Sequence, residues 1–383
     1  MTLKASTRCV NTPPAVDPHR AVAPPIYQTA TFRQSSAVEF GEYDYTRSGN
    51  PTRTVLEQQL ADLEGGTSAA AFTSGMAAIT ALTRLLNAGD EIIASNDLYG
   101  GTVRLFEKVL SRQAITVRYV DTKDLEIVKD SLSIRTKLII CETPSNPLLK
   151  ITDIRRLAEI ASASGVLLAV DNSMLSPIFQ RPLALGADVV IHSATKFLCG
   201  HSDVTAGALV TNDPELYEKI AFQQNAEGAA LSPFESWLLF RGLKTLALRV
   251  ERQNETAGKI AQFLKSRPEI TEVYYPGLHD HPGHALHRSQ AQGDGAVLTF
   301  TSGDPELSRT IVEATRLLSI AVSFGSVGST ISLPCRMSHA SIPAHLQQLA
   351  PPSDLVRVSV GIEDSDDLIE DLTNALDFAI ARF

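Results

Sequence analysis

Between residues 53 and 242, short apolar runs alternate with stretches whose apolar residues recur at three- and four-residue spacing. The runs predict strands at 69–73, 91–95, 115–120, 137–142, 166–172, 187–193 and 206–211. The longer stretches predict helices, for example at 75–86, 102–110 and 154–163. Such alternation implies an α/β fold whose mostly parallel sheet is covered by helices on both faces. One long amphipathic helix, or two in succession, near 232–257 leads into a second region. That region, 243–383, has fewer strands (296–301, 320–324, 355–360), ends in a helix at 365–380 and reads as a smaller α+β cap. Residues 1–52 differ from both. Pro13, Pro14, Pro18, Pro24, Pro25 and Pro51 argue for an extended arm with few helices. An arm of that length is stable only when laid on something, and a neighbouring subunit is the natural support.

Composition narrows the function. With 383 residues, 44% of them hydrophobic, the chain can build a large core and two domains beyond the arm. A formal net charge of −9, with no lysine- or arginine-rich run, argues against a nucleic-acid partner. Cys9, Cys141, Cys199 and Cys335 are widely spaced and form no CxxC pair, which fits a reducing compartment better than a disulfide framework or a structural zinc. No apolar run approaches the ~18 residues of a membrane span, and no signal pattern opens the chain, so a soluble intracellular protein is expected.

The chemistry concentrates where strands end. The run 187–191 stops at His192-Ser193-Ala194-Thr195-Lys196, and Gly200 then permits a tight turn. Hydroxyls and an amine at the end of a strand stand where open α/β folds bind ligands. Ser193 and Thr195 suit a phosphate, and Lys196 suits a Schiff base with a phosphorylated aldehyde. A strand end with a surface lysine would give the same pentapeptide. Thr73-Ser74-Gly75-Met76 follows a strand and opens a helix, a geometry that binds phosphate and that also occurs in ordinary turns. Asp171 ends an apolar strand and either pairs with a pyridinium nitrogen or caps a turn. Tyr99 could stack on a cofactor or anchor its loop. Arg357, a charge in an apolar strand, needs a carboxylate from the protein or a substrate, and Ser323 follows a strand nearby. His279, His281, His284 and His287 imitate a metal site, but Pro282 and Gly283 interrupt the spacing, so a surface loop before a helix is expected.

Taken together, YDYTRSGNPT (43–52), FTSGMAA (72–78), ETPSNP (142–147), VDNS (170–173), HSATKF (192–197), MSHASIP (337–343) and VRVSVGIED (356–364) resemble the pyridoxal-phosphate-dependent enzymes of cysteine and methionine metabolism, and among them the plant-type cystathionine β-lyases. The resemblance implies an aspartate-aminotransferase-like fold (fold type I): an inter-subunit arm (1–52), a cofactor-binding large domain (53–242) and a C-terminal small domain (243–383). It implies a homotetramer built as a dimer of active dimers, in the cytoplasm or, for a processed plant-type form, the plastid stroma. By the same resemblance Lys196 would carry pyridoxal 5'-phosphate. Gly75, Met76, Ser193 and Thr195 would hold its phosphate, with Tyr45 and Arg47 reaching in from an adjacent subunit. Asp171 would pair with the ring nitrogen, Tyr99 would stack on the ring, and Asn146 would lie by its hydroxyl. Tyr99, Asn146, Ser323 and Arg357 would contact the substrate, with Ser323 and Arg357 orienting its carboxylate. Lys196 and Tyr99 would move protons. The implied reaction is β-elimination of cystathionine, with a γ-lyase or γ-synthase as the alternative. One departure bears on that choice: many relatives carry Glu where this chain has Gly328.

Overall fold

In the computed structural model, which describes residues 3–11, 17, 19–340 and 342–383, the first half of the chain builds one seven-stranded sheet. Its strands are β1 (Ser68–Phe72), β2 (Glu91–Ser95), β3 (Thr116–Val120), β4 (Thr136–Glu142), β5 (Leu167–Asp171), β6 (Val189–His192) and β7 (Gly207–Thr211). The spatial order is β1-β7-β6-β5-β4-β2-β3. Strands β3, β2, β4, β5 and β6 run parallel, whereas β7 is antiparallel to both β6 and β1. Central parallel strands buried on both faces need near-continuous apolar sequence, which Leu138–Cys141 and Leu168–Val170 supply. Parallel pairing also sets strand ends side by side: Glu142 is in register with Asp171, and β6 exits beside them into Ser193 and Lys196.

A second sheet follows, with β8 (Glu272–Tyr274), β9 (Val297–Thr301), β10 (Ser319–Ile320), β11 (Thr330–Ser332) and β12 (Val356–Ser359) in the order β10-β11-β12-β9-β8. The 232–257 signal resolves into two helices, Pro233–Leu243 and Leu246–Lys265, and the last helix is Ser365–Ile380.

Three expectations need correction. The strand expected at 320–324 lasts only through Ser319–Ile320. Beyond it Ser323 takes φ 79° and Gly325 φ 86°, turning the chain toward the first sheet, and a Cβ on Gly325 would stand 2.7 Å from the Phe197 amide nitrogen. Pro51, read as part of an extended arm, is instead the first residue of the Pro51–Glu64 helix. Asn50 caps that helix by accepting from the Thr52 amide, and proline's fixed φ suits this position. The histidine segment is no surface loop throughout. His287 lies in the His284–Gln290 helix, fully buried, and its Nε2 donates to the Gly293 carbonyl at 2.9 Å.

The arm is tied down at intervals. Thr31 bridges Tyr45, and the Trp237 indole donates to the Pro24 carbonyl at 3.0 Å. Buried Arg53 donates to the carbonyls of Thr46 and Arg47 at 2.8 and 3.1 Å.

Candidate active site

The strand ends of the first sheet face the 322–324 turn and β12 of the second across a cavity of about 570 Å³. Gly75, Met76, Tyr99, Asn146, Asp171 and Ser193 line it, as do Thr195, Lys196, Ser323 and Arg357. Tyr45 and Arg47 do not. They border a separate surface cavity of about 380 Å³, where Arg47 lies 5.3 Å from the Tyr45 ring centre and its Nε donates to Asn225 at 3.1 Å.

Lys196 is the centre of the site. Its Nζ donates to the Ser323 hydroxyl at 2.5 Å and sits 4.9 Å from the centre of the Phe324 ring. Burial disfavours the ammonium, and the Arg357 charge adds to the effect against the pull of Asp171 and Glu142. The amine's pKa is pushed down to about 8. Asp171 Oδ1 accepts from the Ser173 amide at 2.9 Å. Burial raises its pKa, opposed by the Ser173 hydrogen bonds and by the charges of His192 and Lys196. Arg357, on β12, donates to Asn146 Oδ1 at 2.9 Å and to the Ser323 carbonyl at 2.8 Å. Its guanidinium carbon stands 5.4 Å from the centre of the Phe324 ring. Burial lowers its pKa to about 10, with Glu142 and Tyr99 pulling the other way.

Asn146 is held in turn by its loop. Buried Asp97 accepts from the Ser145 hydroxyl and, at 3.0 Å, from the Leu148 amide, and Thr299 on β9 donates to the Pro147 carbonyl at 3.1 Å. The sheets therefore meet through Asn146 and Arg357.

A phosphorylated pyridine fits these residues. Gly75 and Met76 open the Gly75–Thr83 helix, whose first-turn amides have no intrahelical acceptor. A Cβ on Gly75 would come within 2.9 Å of Ser193 Cβ, so only glycine lets helix and serine close around one anion. Asp171 supplies a carboxylate for a ring nitrogen, with Lys196 in the same cavity. Thr195 fits less simply: its hydroxyl donates to the Ala206 carbonyl at 3.2 Å and accepts from the Ala206 amide at 2.9 Å, so it also braces the following loop.

Sequence reading missed several participants. Glu142 lines the cavity, and its Oε2 accepts from the Tyr99 amide at 3.2 Å. Burial holds its pKa well above the ordinary carboxylate range, reinforced by the charges of Asp171 and Asp97. Its signal was the one that selected Asp171, an acid closing an apolar strand. Met337, Ser338 and Ala340 also line the cavity, held by His339. Its Nε2–H donates to the Leu98 carbonyl at 3.1 Å, and Nδ1 accepts from the Ser338 hydroxyl at 2.9 Å. Burial and the Arg357 charge push the His339 pKa down to about 4, consistent with that neutral form. Gly328, by contrast, is exposed, lies outside the lining and would send a side chain into open space.

The model of the family "Cys/Met metabolism PLP-dependent enzyme" matches residues 6–377. The chloroplastic cystathionine beta-lyase of Arabidopsis thaliana is 54% identical over 368 residues, 96% of this chain and 79% of that protein. The cystathionine gamma-lyase of Bacillus subtilis is 49% identical over 358 residues, 93% of this chain and 94% of that one. Among solved structures, cystathionine gamma synthase from Xanthomonas oryzae pv. oryzae in complex with aminoacrylate and cysteine superposes with a TM-score of 0.97 at 40% identity, covering 100% of both chains.

Proposed function

This chain belongs to the Cys/Met metabolism PLP-dependent enzymes, and from that premise we propose that it is a carbon–sulfur lyase cleaving cystathionine by β-elimination to homocysteine, pyruvate and ammonia. The observation that carries the reading is Lys196, a buried amine of lowered basicity sharing one cavity with Asp171 and Arg357. The β-direction rests on the named β-lyase relatives, led here by the one 54% identical.

Pyridoxal phosphate, when bound, supplies the electron sink for charge left on Cα when its proton departs. The Gly75 and Met76 amides with Ser193 would hold the phosphate, Asp171 the ring nitrogen's proton, Tyr99 the ring face and Asn146 the ring hydroxyl. Two of the five Arg357 donors serve Asn146 and Ser323, leaving the others for the substrate carboxylate. Lys196 would take the Cα proton at Nζ. Lys196 or the Tyr99 hydroxyl returns a proton to the departing thiolate.

An elimination releases one thiol and one ammonium for each substrate consumed. Titrating both from cystathionine should give equal yields, whereas thiol without ammonium would replace the lyase by a group-transferring enzyme.

In the same reading, 53–242 and 243–383 form the cofactor and cap domains of a homotetramer built from active dimers, working in the cytoplasm or a plastid stroma. The arm within 1–52 lends Tyr45 and Arg47 to the neighbour's phosphate site, a role supported by their bordering a separate cavity and not lining that of their own chain. Exchanging subunits between inactive Arg47→Ala and Lys196→Ala proteins should restore about a quarter of parental activity, because half the dimers are mixed and each holds one intact site. Demonstrated exchange without recovery would place each site within one chain.

A further inference from the structure

Behind the strand ends that carry Asp171 and Ser193 lies a polar cluster that the chemistry above leaves unused. Glu64, the last residue of the Pro51–Glu64 helix, sets Oε1 2.5 Å from His192 Nε2 and accepts from Asn172 Nδ2 at 2.8 Å. Gln180 closes the cluster, donating to Asn172 Oδ1 at 3.2 Å and to the Thr143 carbonyl at 2.8 Å. Glu64, Asn172, Gln180 and His192 are each at most 1% exposed.

The cluster is expensive. Taking a carboxylate and an imidazole out of water costs several kcal/mol per ion, and a well-packed apolar pair would often be as stable or better. Here Glu64 Oε2, His192 Nδ1 and Gln180 Oε1 also lack a hydrogen-bond partner among the described residues. A polar violation of this kind is expected where function requires it. Its placement says which function. Asn172 directly follows Asp171, and His192 directly precedes Ser193, four residues before Lys196. Successive side chains of an extended strand face opposite ways, so anchoring the rearward residue fixes the forward one. A charge on His192 favours ionised Asp171. The other charged groups acting on Asp171 are Lys196, which favours ionisation, and Glu142, which opposes it.

We propose that Glu64 and His192 are positioning residues for the cofactor site, a buried acid–imidazole pair that ties the exits of β5 and β6 together and fixes the alignment of Asp171. The proposal rests on the reading of the cavity as a pyridoxal-phosphate site, and its test separates the two. Apoproteins of the parent, Glu64→Gln and His192→Gln are compared by thermal melting and titrated with pyridoxal phosphate between about pH 5.5 and 8.5. Both substitutions keep hydrogen-bonding capacity and remove the titratable group. The expected result is folded variants whose cofactor Kd is raised about tenfold. In His192→Gln the acid-side midpoint of cofactor retention should move to higher pH, because His192 is among the groups that favour ionised Asp171. A Kd within about twofold of the parent at every pH, in either variant that folds, overturns the proposal. Loss of the fold in both variants also overturns it, since the pair would then serve stability alone. A parent apoprotein that binds no pyridoxal phosphate removes the underlying reading instead.

Discussion

Replacing Lys196 by alanine is expected to leave a folded protein whose turnover falls by about 10⁴- to 10⁶-fold, the scale of losing a residue that serves as both attachment point and base. The reason lies in how the amine is kept. Burial and the Arg357 charge lower its pKa from an ordinary 10.5 to about 8. At pH 7.5 roughly a quarter of such amines are free, against roughly a thousandth for an ordinary lysine. Among the described residues no other lysine lines the cavity, so no second amine is at hand to take over the role. The fold should tolerate the change, because truncation removes a buried charge along with its desolvation penalty. Steady-state rates measure the loss. Borohydride treatment followed by peptide mapping gives a second check: the parent should carry the cofactor covalently on Lys196, and the variant should carry none there. An adduct on another lysine of the parent would overturn the assignment.

Arg357→Leu is expected to raise KM and lower kcat/KM by about 10²- to 10³-fold, corresponding to the 2–5 kcal/mol at stake when one partner of a buried charge pair is lost. The guanidinium is oriented by Asn146 and the Ser323 carbonyl and packed over Phe324, so a carboxylate meets preset donors. Arg357→Lys should recover little, since an ammonium cannot reproduce the planar fork between those partners. Apoprotein melting should show a smaller change than kinetics does, because Glu142 can stay protonated once the positive charge is gone. A leucine variant with parental KM would move the substrate carboxylate elsewhere.

Much of this site was legible because parallel sheets advertise their ends. Asp171 and Lys196 close or follow apolar runs, and Arg357 interrupts one, so each stood out against its neighbours. Glu142 obeyed the same rule, closing the strand expected at 137–142, but entered the sequence reading only as the first residue of ETPSNP; the β4–β5 register sets it beside Asp171. Asp97, His339 and Glu64 act through partners far along the chain, at Ser145, Leu98 and His192, and no local pattern encodes such pairings. In the fold, alternation located the large sheet within a residue or two, while β8 and β11, three residues each, are too short to show a period. Pro51 misled because proline both breaks helices and starts them. Gly328, which bore on reaction type in the sequence, is exposed and lies outside the cavity lining.

In the proposed site, β- and γ-elimination would differ in how the substrate lies against Lys196, Tyr99 and Arg357, since γ-elimination requires a second proton to leave Cβ before sulfur departs. The decisive measurement is the keto acid formed when the purified enzyme is incubated with cystathionine and its products are separated by chromatography. Pyruvate with homocysteine is the expected outcome; 2-oxobutyrate with cysteine as the main products would contradict it.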